Sequence, residues 1–99
     1  MTGKEMKLYK NIFYHYTDII LPRLAEQLQL SLRFNNQFQQ LILNLLFDQP
    51  TDVKVHQLTG RQLREAVSIC RGLVDNPKII PNAIQWSTDL KYMQQLSGL

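Results

Sequence analysis

Leu58 to Val74 reads LTGRQLREAVSICRGLV, and this stretch decides the fold. The Thr59 hydroxyl can accept the amide of Gln62 while the Gln62 side chain reaches back to the amide of Thr59, the reciprocal pairing of a capping box. Leu58 and Leu63 flank that cap at the two positions where a hydrophobic staple closes. Beyond it Leu63, Ala66, Val67, Cys70, Leu73 and Val74 recur at three- and four-residue spacing, which is one stripe of an α-helix. Asp75-Asn76-Pro77 ends the pattern. A helix from Thr59 with one apolar face is therefore predicted, and that face has to be covered by other helices.

Those helices are present on both sides. Tyr9, Phe13, Tyr16 and Ile20 recur at i, i+4, i+7 and i+11 in a segment from Lys4 to Leu21, with Leu8, Ile12 and Ile19 widening the apolar face. Pro22 interrupts the segment, because proline donates no amide and crowds the carbonyl four residues back. Leu21, Leu24 and Leu28 carry the stripe past it, so a first helix kinked or split at Pro22 and ending near Leu30 is expected. A second helix is expected from Ser31, a suitable N-cap. Its row is Phe34, Phe38, Leu41 and Leu45, and its wet face is Asn35, Asn36, Gln37, Gln39, Gln40 and Asn44. Asp48-Gln49-Pro50 stops it. Thr51 to Leu58 alternates like a strand but has no strand to pair with, so it reads as an extended connector, one that a second protein could also pair with. The last helix is expected near Pro81, with Ala83, Trp86, Leu90 and Met93 as its row and Gly98 at its close. The outcome is an all-α single domain over residues 1–99, a compact antiparallel bundle of four main helices, since short connections make sequential helices neighbours.

Composition agrees with a globular chain. Apolar residues make up 44% and charged residues 19%, and eleven Gln and six Asn supply much of the polar surface. The formal charge of +3 is mildly basic, with the cations scattered rather than clustered. Cys70 is the single cysteine, which excludes an intrachain disulfide. The longest apolar run, Leu41 to Phe47, is broken by Asn44 and far short of the roughly 20 residues of a membrane span. The N-terminus lacks a signal-peptide cleavage pattern. A cytoplasmic chain is expected.

No catalytic constellation is legible. Cys70 sits on an apolar stripe, where a free cysteine acts as a small core residue. His15 and His56 are too far apart in sequence for the ligand spacing of structural zinc, and His15 is expected to be partly buried against a backbone or tyrosine partner. The carboxylates Glu5, Asp18, Glu26, Asp48, Asp52, Glu65, Asp75 and Asp89 fall at helix ends or on wet faces. The glycines are isolated and form no phosphate-cradling loop. Neither an enzyme activity, nor a metal, cofactor or small-molecule substrate is expected.

Three surface features remain. Arg61, Arg64 and Arg71 fall within roughly 80° of one another on their helix, a basic edge suited to phosphate or to an acidic partner. The twelve-residue connector Asp48–Thr59 argues against a helix-turn-helix, which joins its helices by three or four residues. Tyr14 shares the outer face of the first helix with Lys7, Lys10 and Asp18, a grouping that suits a protein contact. The breadth of the first apolar face suggests more apolar area than one core can cover, and homodimerisation would cover it. In size, mild basicity and bundle shape the chain is similar to the small cytosolic immunity proteins that protect producers of pediocin-like bacteriocins, and no site residue carries over from that likeness. The expected function is a protein-binding or regulatory module, with a nucleic-acid-binding regulator as the alternative.

Overall fold

The computed structural model describes residues 1–30 and 37–97, and within 91–97 the backbone and the side chain of Met93 only. Five α-helical segments follow one another: α1 (Gly3–His15), α2 (Leu21–Gln27), α3 (Gln37–Phe47), α4 (Gly60–Asp75) and α5 (Ile80–Ser97). A π-helical turn, Tyr16–Ile20, joins α1 to α2 without a break, so the bundle has four main helices. Short 3₁₀ turns at Val55–Gln57 and Pro77–Ile79 precede α4 and α5. No strand occurs among the described residues. The expected N-cap Ser31, together with Phe34, Asn35, Asn36 and Gly98, lies outside the described residues.

Helix α4 is the axis on which the others pack. It touches α1, the π turn, α2, α3 and the 3₁₀ turn ahead of α5. Leu63, Ala66, Cys70 and Leu73 are buried, and Val67 and Val74 are half-buried beside them, as the stripe requires. The cap forms as read: the Gln62 amide donates to Thr59 Oγ1 at 3.1 Å, and the Thr59 amide donates to Gln62 Oε1 at 2.9 Å. Loss of such a cap costs about 1 kcal/mol.

The interruption before Pro22 has a packing cause. Phe13, Thr17, Leu21 and Ala25 are all buried and recur at every fourth residue. An α-helix has 3.6 residues per turn, so such a row drifts by about 40° at each step and would leave the core. A π turn absorbs the surplus residue and returns Leu21 and Ala25 to the face of Phe13. It sits directly before the residue that cannot donate, and the Leu21 amide reaches back to the Tyr16 carbonyl instead of to Thr17.

Two helices end in Schellman turns. After α2 the Leu30 amide donates to the Ala25 carbonyl and the Gln29 amide to that of Glu26; after α3 the Gln49 amide donates to Asn44 and the Asp48 amide to Leu45. Gln29 and Asp48 occupy the left-handed position, with φ of 59° and 54°. Glycine takes that conformation without a Cβ penalty. Asp48→Gly is therefore expected to raise stability by about 0.5 kcal/mol, read as a higher urea midpoint with an unchanged slope.

Three readings are corrected here. Asn44 is not on a wet face: it is fully buried and joins α3 to α5 and to the connector. Its Nδ2 donates to Ser87 Oγ at 2.8 Å, and its Oδ1 accepts from Gln40 Nε2 at 2.9 Å and from the Thr51 amide at 3.2 Å. Those three bonds replace the water that an asparagine normally keeps. The inner row of α5 is corrected in part. Among the described side chains of α5 Ile80 and Ser87 are buried; the expected Ala83, Trp86 and Leu90 are half-buried, as is Ile84, whereas Met93 is 64% exposed. In the first helix Leu28 is exposed, and α2 stops at Gln27 because the Schellman turn follows at once.

Candidate functional site

A polar cleft lies where α1, α3 and the connector meet. Its volume is about 360 Å³, and it is lined by Tyr14, Gln39, Gln40, Leu43, Val53, Lys54, Val55 and His56. Tyr14 follows Phe13 by one residue, about 100° around the helix, so it projects from the edge of the buried face. Its ring leans on the Phe13 ring, with centroids 6.0 Å apart and planes tilted by 58°. That arrangement is a favourable one for aromatic pairs. From α3 come Gln39, Gln40 and Leu43.

The opposite wall is the connector, which is tied to α3 at Thr51 and braced by hydrogen bonds within itself. Gln40 Nε2 donates to the Thr51 carbonyl at 2.8 Å, the Val53 amide to Thr51 Oγ1 at 3.2 Å, and the Lys54 amide to Gln57 Oε1 at 2.8 Å. Val55 and Leu58 are buried beneath it. The Val53 and Lys54 amides that a partner strand would need are thus engaged inside the chain. The resulting wall is fixed, with Lys54 and His56 exposed upon it.

The structure divides the four residues expected at a partner contact. Lys7, Tyr14 and Asp18 are exposed and Lys10 is half-buried, but only Tyr14 lines the cleft. The Asp18 carboxylate accepts from the Thr17 hydroxyl at 3.2 Å. Gln39, Lys54 and His56, which complete the cleft, were not legible as one group, because α3 and the connector meet α1 only through the fold.

The basic edge of α4 is partly occupied. Arg61 pairs with Glu65 at 3.9 Å, an exposed i, i+4 pair worth little on its own. The Arg64 guanidinium lies 5.7 Å from the centre of the Tyr9 ring, a cation–π contact. Arg71 is exposed and makes no ion pair among the described residues.

His15 is not partly buried as expected: it is exposed, and its side chain makes no hydrogen bond among the described residues. It lies on the side of Leu8 and of Ile19 in the π turn, which are themselves 56% and 41% exposed, so that side of the first helix is left outside the core. Ile12, between them, is half-buried.

A second hollow, of about 560 Å³, is lined by Leu45, Ile69, Gly72, Leu73, Ile79, Asn82 and Ala83. It is almost wholly apolar, and among the described residues Asn82 is its one polar side chain. Sites that fix a ligand's orientation combine an apolar body with a few convergent polar groups, as the Tyr14 cleft does.

Cys70 is fully buried, and burial pushes its thiol up to about 12 from an ordinary 9.0. Thiolate is the nucleophilic form, so the folded chain holds this sulfur inert at neutral pH. Between pH 9 and about 12 the unfolded chain releases this proton and the folded chain keeps it, so the contribution of Cys70 is intact below pH 9 and is lost as pH rises through that window. Unfolding midpoints of Cys70→Ala should accordingly fall less steeply above pH 9 than those of the natural chain.

Among the described residues no three His, Cys, Asp or Glu side chains gather as a metal site would need. No described helix is long and apolar enough to cross a membrane. Compared with models of known protein families, with curated proteins and with solved structures, the chain matches none of them.

Proposed function

We propose that this chain is a non-catalytic module that binds another protein through the surface centred on Tyr14. The observation that carries this reading is the cleft beside a tyrosine 38% exposed, lined by the exposed Lys54 and His56 and by the buried Leu43 and Val55. Tyrosine is enriched at such contacts because its ring supplies area at low conformational cost while its hydroxyl bonds. An immunity-type role, in which a small bundle protects its producer by covering a target, is one form such a module takes.

Self-association is a second form, supported by the uncovered Leu8 of α1 and Ile19 of the π turn. The nucleic-acid reading has less support, since Arg61 and Arg64 already have partners within the chain.

Tyr14→Ala tests the proposal. Partner capture from the source cell should weaken at least tenfold, about 1.4 kcal/mol or more, with the far-ultraviolet helical signal unchanged. Equal capture by the variant would contradict it. Binding to duplex DNA at low salt that falls steeply as salt rises would favour the alternative.

A further inference from the structure

We infer that the Tyr14 cleft recognises an acidic segment of a partner protein, taking a carboxylate at its rim and a neighbouring apolar side chain on its floor. This rests on the protein-binding role proposed above and adds the chemistry of the partner.

The rim carries four groups able to donate: the Tyr14 hydroxyl, the Gln39 amide, the Lys54 ammonium and the His56 ring. None of the four makes a hydrogen bond or ion pair from its side chain among the described residues. No carboxylate lines the cleft. The nearest in sequence are Asp18, held by Thr17, and the exposed Asp52 on the connector. Lys10 and Lys7 lie four and seven residues before Tyr14, on its side of α1, and extend the positive approach to the cleft. The surroundings therefore select for negative charge, and charge-assisted hydrogen bonds are the strong ones.

Size and floor indicate the rest. About 360 Å³ holds one or two side chains rather than a helix, which suits an extended segment. Leu43, Val53 and Val55 make the floor apolar, so burying an aliphatic or aromatic neighbour of the carboxylate stabilises the complex. A nucleic acid presents phosphates in succession and needs several lysines or arginines along its track. Among the described residues Lys54 is the one lysine or arginine lining the cleft, which favours the protein segment.

The test uses the full chain labelled with ¹⁵N and an end-blocked peptide of alternating leucine and glutamate at millimolar concentration. Resonances of Tyr14, Gln39, Lys54 and His56 should shift with the glutamate peptide and not with its leucine–lysine counterpart. Lys54→Glu should weaken binding about tenfold. Shifts gathered at Arg61 and Arg71, equal response to the lysine peptide, or none at all would overturn the inference. So would displacement of the peptide by a duplex oligonucleotide. If Tyr14→Ala loses the cellular partner while Lys54→Glu keeps it, docking at the cleft stands and its acidic chemistry fails.

Discussion

Asn44→Ala is expected to lower the unfolding free energy by about 3 kcal/mol, a fall in melting temperature of roughly 15 °C for a domain of this size. The side chain is fully buried and serves three partners on three parts of the chain. Removing it leaves the Ser87 hydroxyl, one Gln40 bond and the Thr51 amide without their acceptor or donor. A buried group left without its partner costs about 1–3 kcal/mol. Ser87→Ala should do less, because Asn44 would keep its bonds to Gln40 and Thr51. The double variant should then be less destabilised than the two single effects added together, since Asn44 and Ser87 share one bond. Strict additivity in urea unfolding would mean that this network does not join α3 to α5.

Phe13→Ala should have the larger effect, about 4 kcal/mol. Phe13 is, with Phe38, the largest fully buried side chain among the described residues, and it belongs to the core cluster at the face α1 turns toward α4. Truncating a buried phenylalanine removes its transfer free energy and adds the cavity left behind, together about 3–5 kcal/mol. The stability of domains this size is roughly 5–15 kcal/mol, so a large part of the folded population becomes sensitive to mild denaturant. Phe13→Leu fills most of the volume and should lose much less. An alanine variant with an unchanged urea midpoint would mean that α1 is not part of the cooperative core.

These two residues show how much the sequence discloses. Phe13 was legible, because a core row on a helix repeats locally and its neighbours lie within a few residues. Cap, staple and stripe made α4 legible for the same reason. Asn44 was not, because an amide among other amides reads as wet. Its burial depends on Ser87, 43 residues away. Ser87 on α5 was hidden in the same manner: it is buried as the partner of Asn44 and not for its own hydrophobicity. Of the candidate site, Tyr14 was legible as a tyrosine on the wrong side of an apolar stripe. Its companions Gln39, Lys54 and His56 come from a different helix and from a connector whose fixed course depends on side-chain bonds to Thr51 and Gln57. The length of Pro22's influence was also hidden. The proline was visible, but the surplus residue it follows shows only once Phe13, Thr17, Leu21 and Ala25 are known to share one face.

The most direct test of the central claim compares capture of the cellular partner by the natural chain, Tyr14→Ala and Arg71→Ala, each first shown to keep its helical signal and melting temperature. Loss of capture with Tyr14→Ala and full capture with Arg71→Ala is the predicted result. Full capture with Tyr14→Ala and loss with Arg71→Ala would contradict it, and would move the working surface from the cleft to the basic edge of α4.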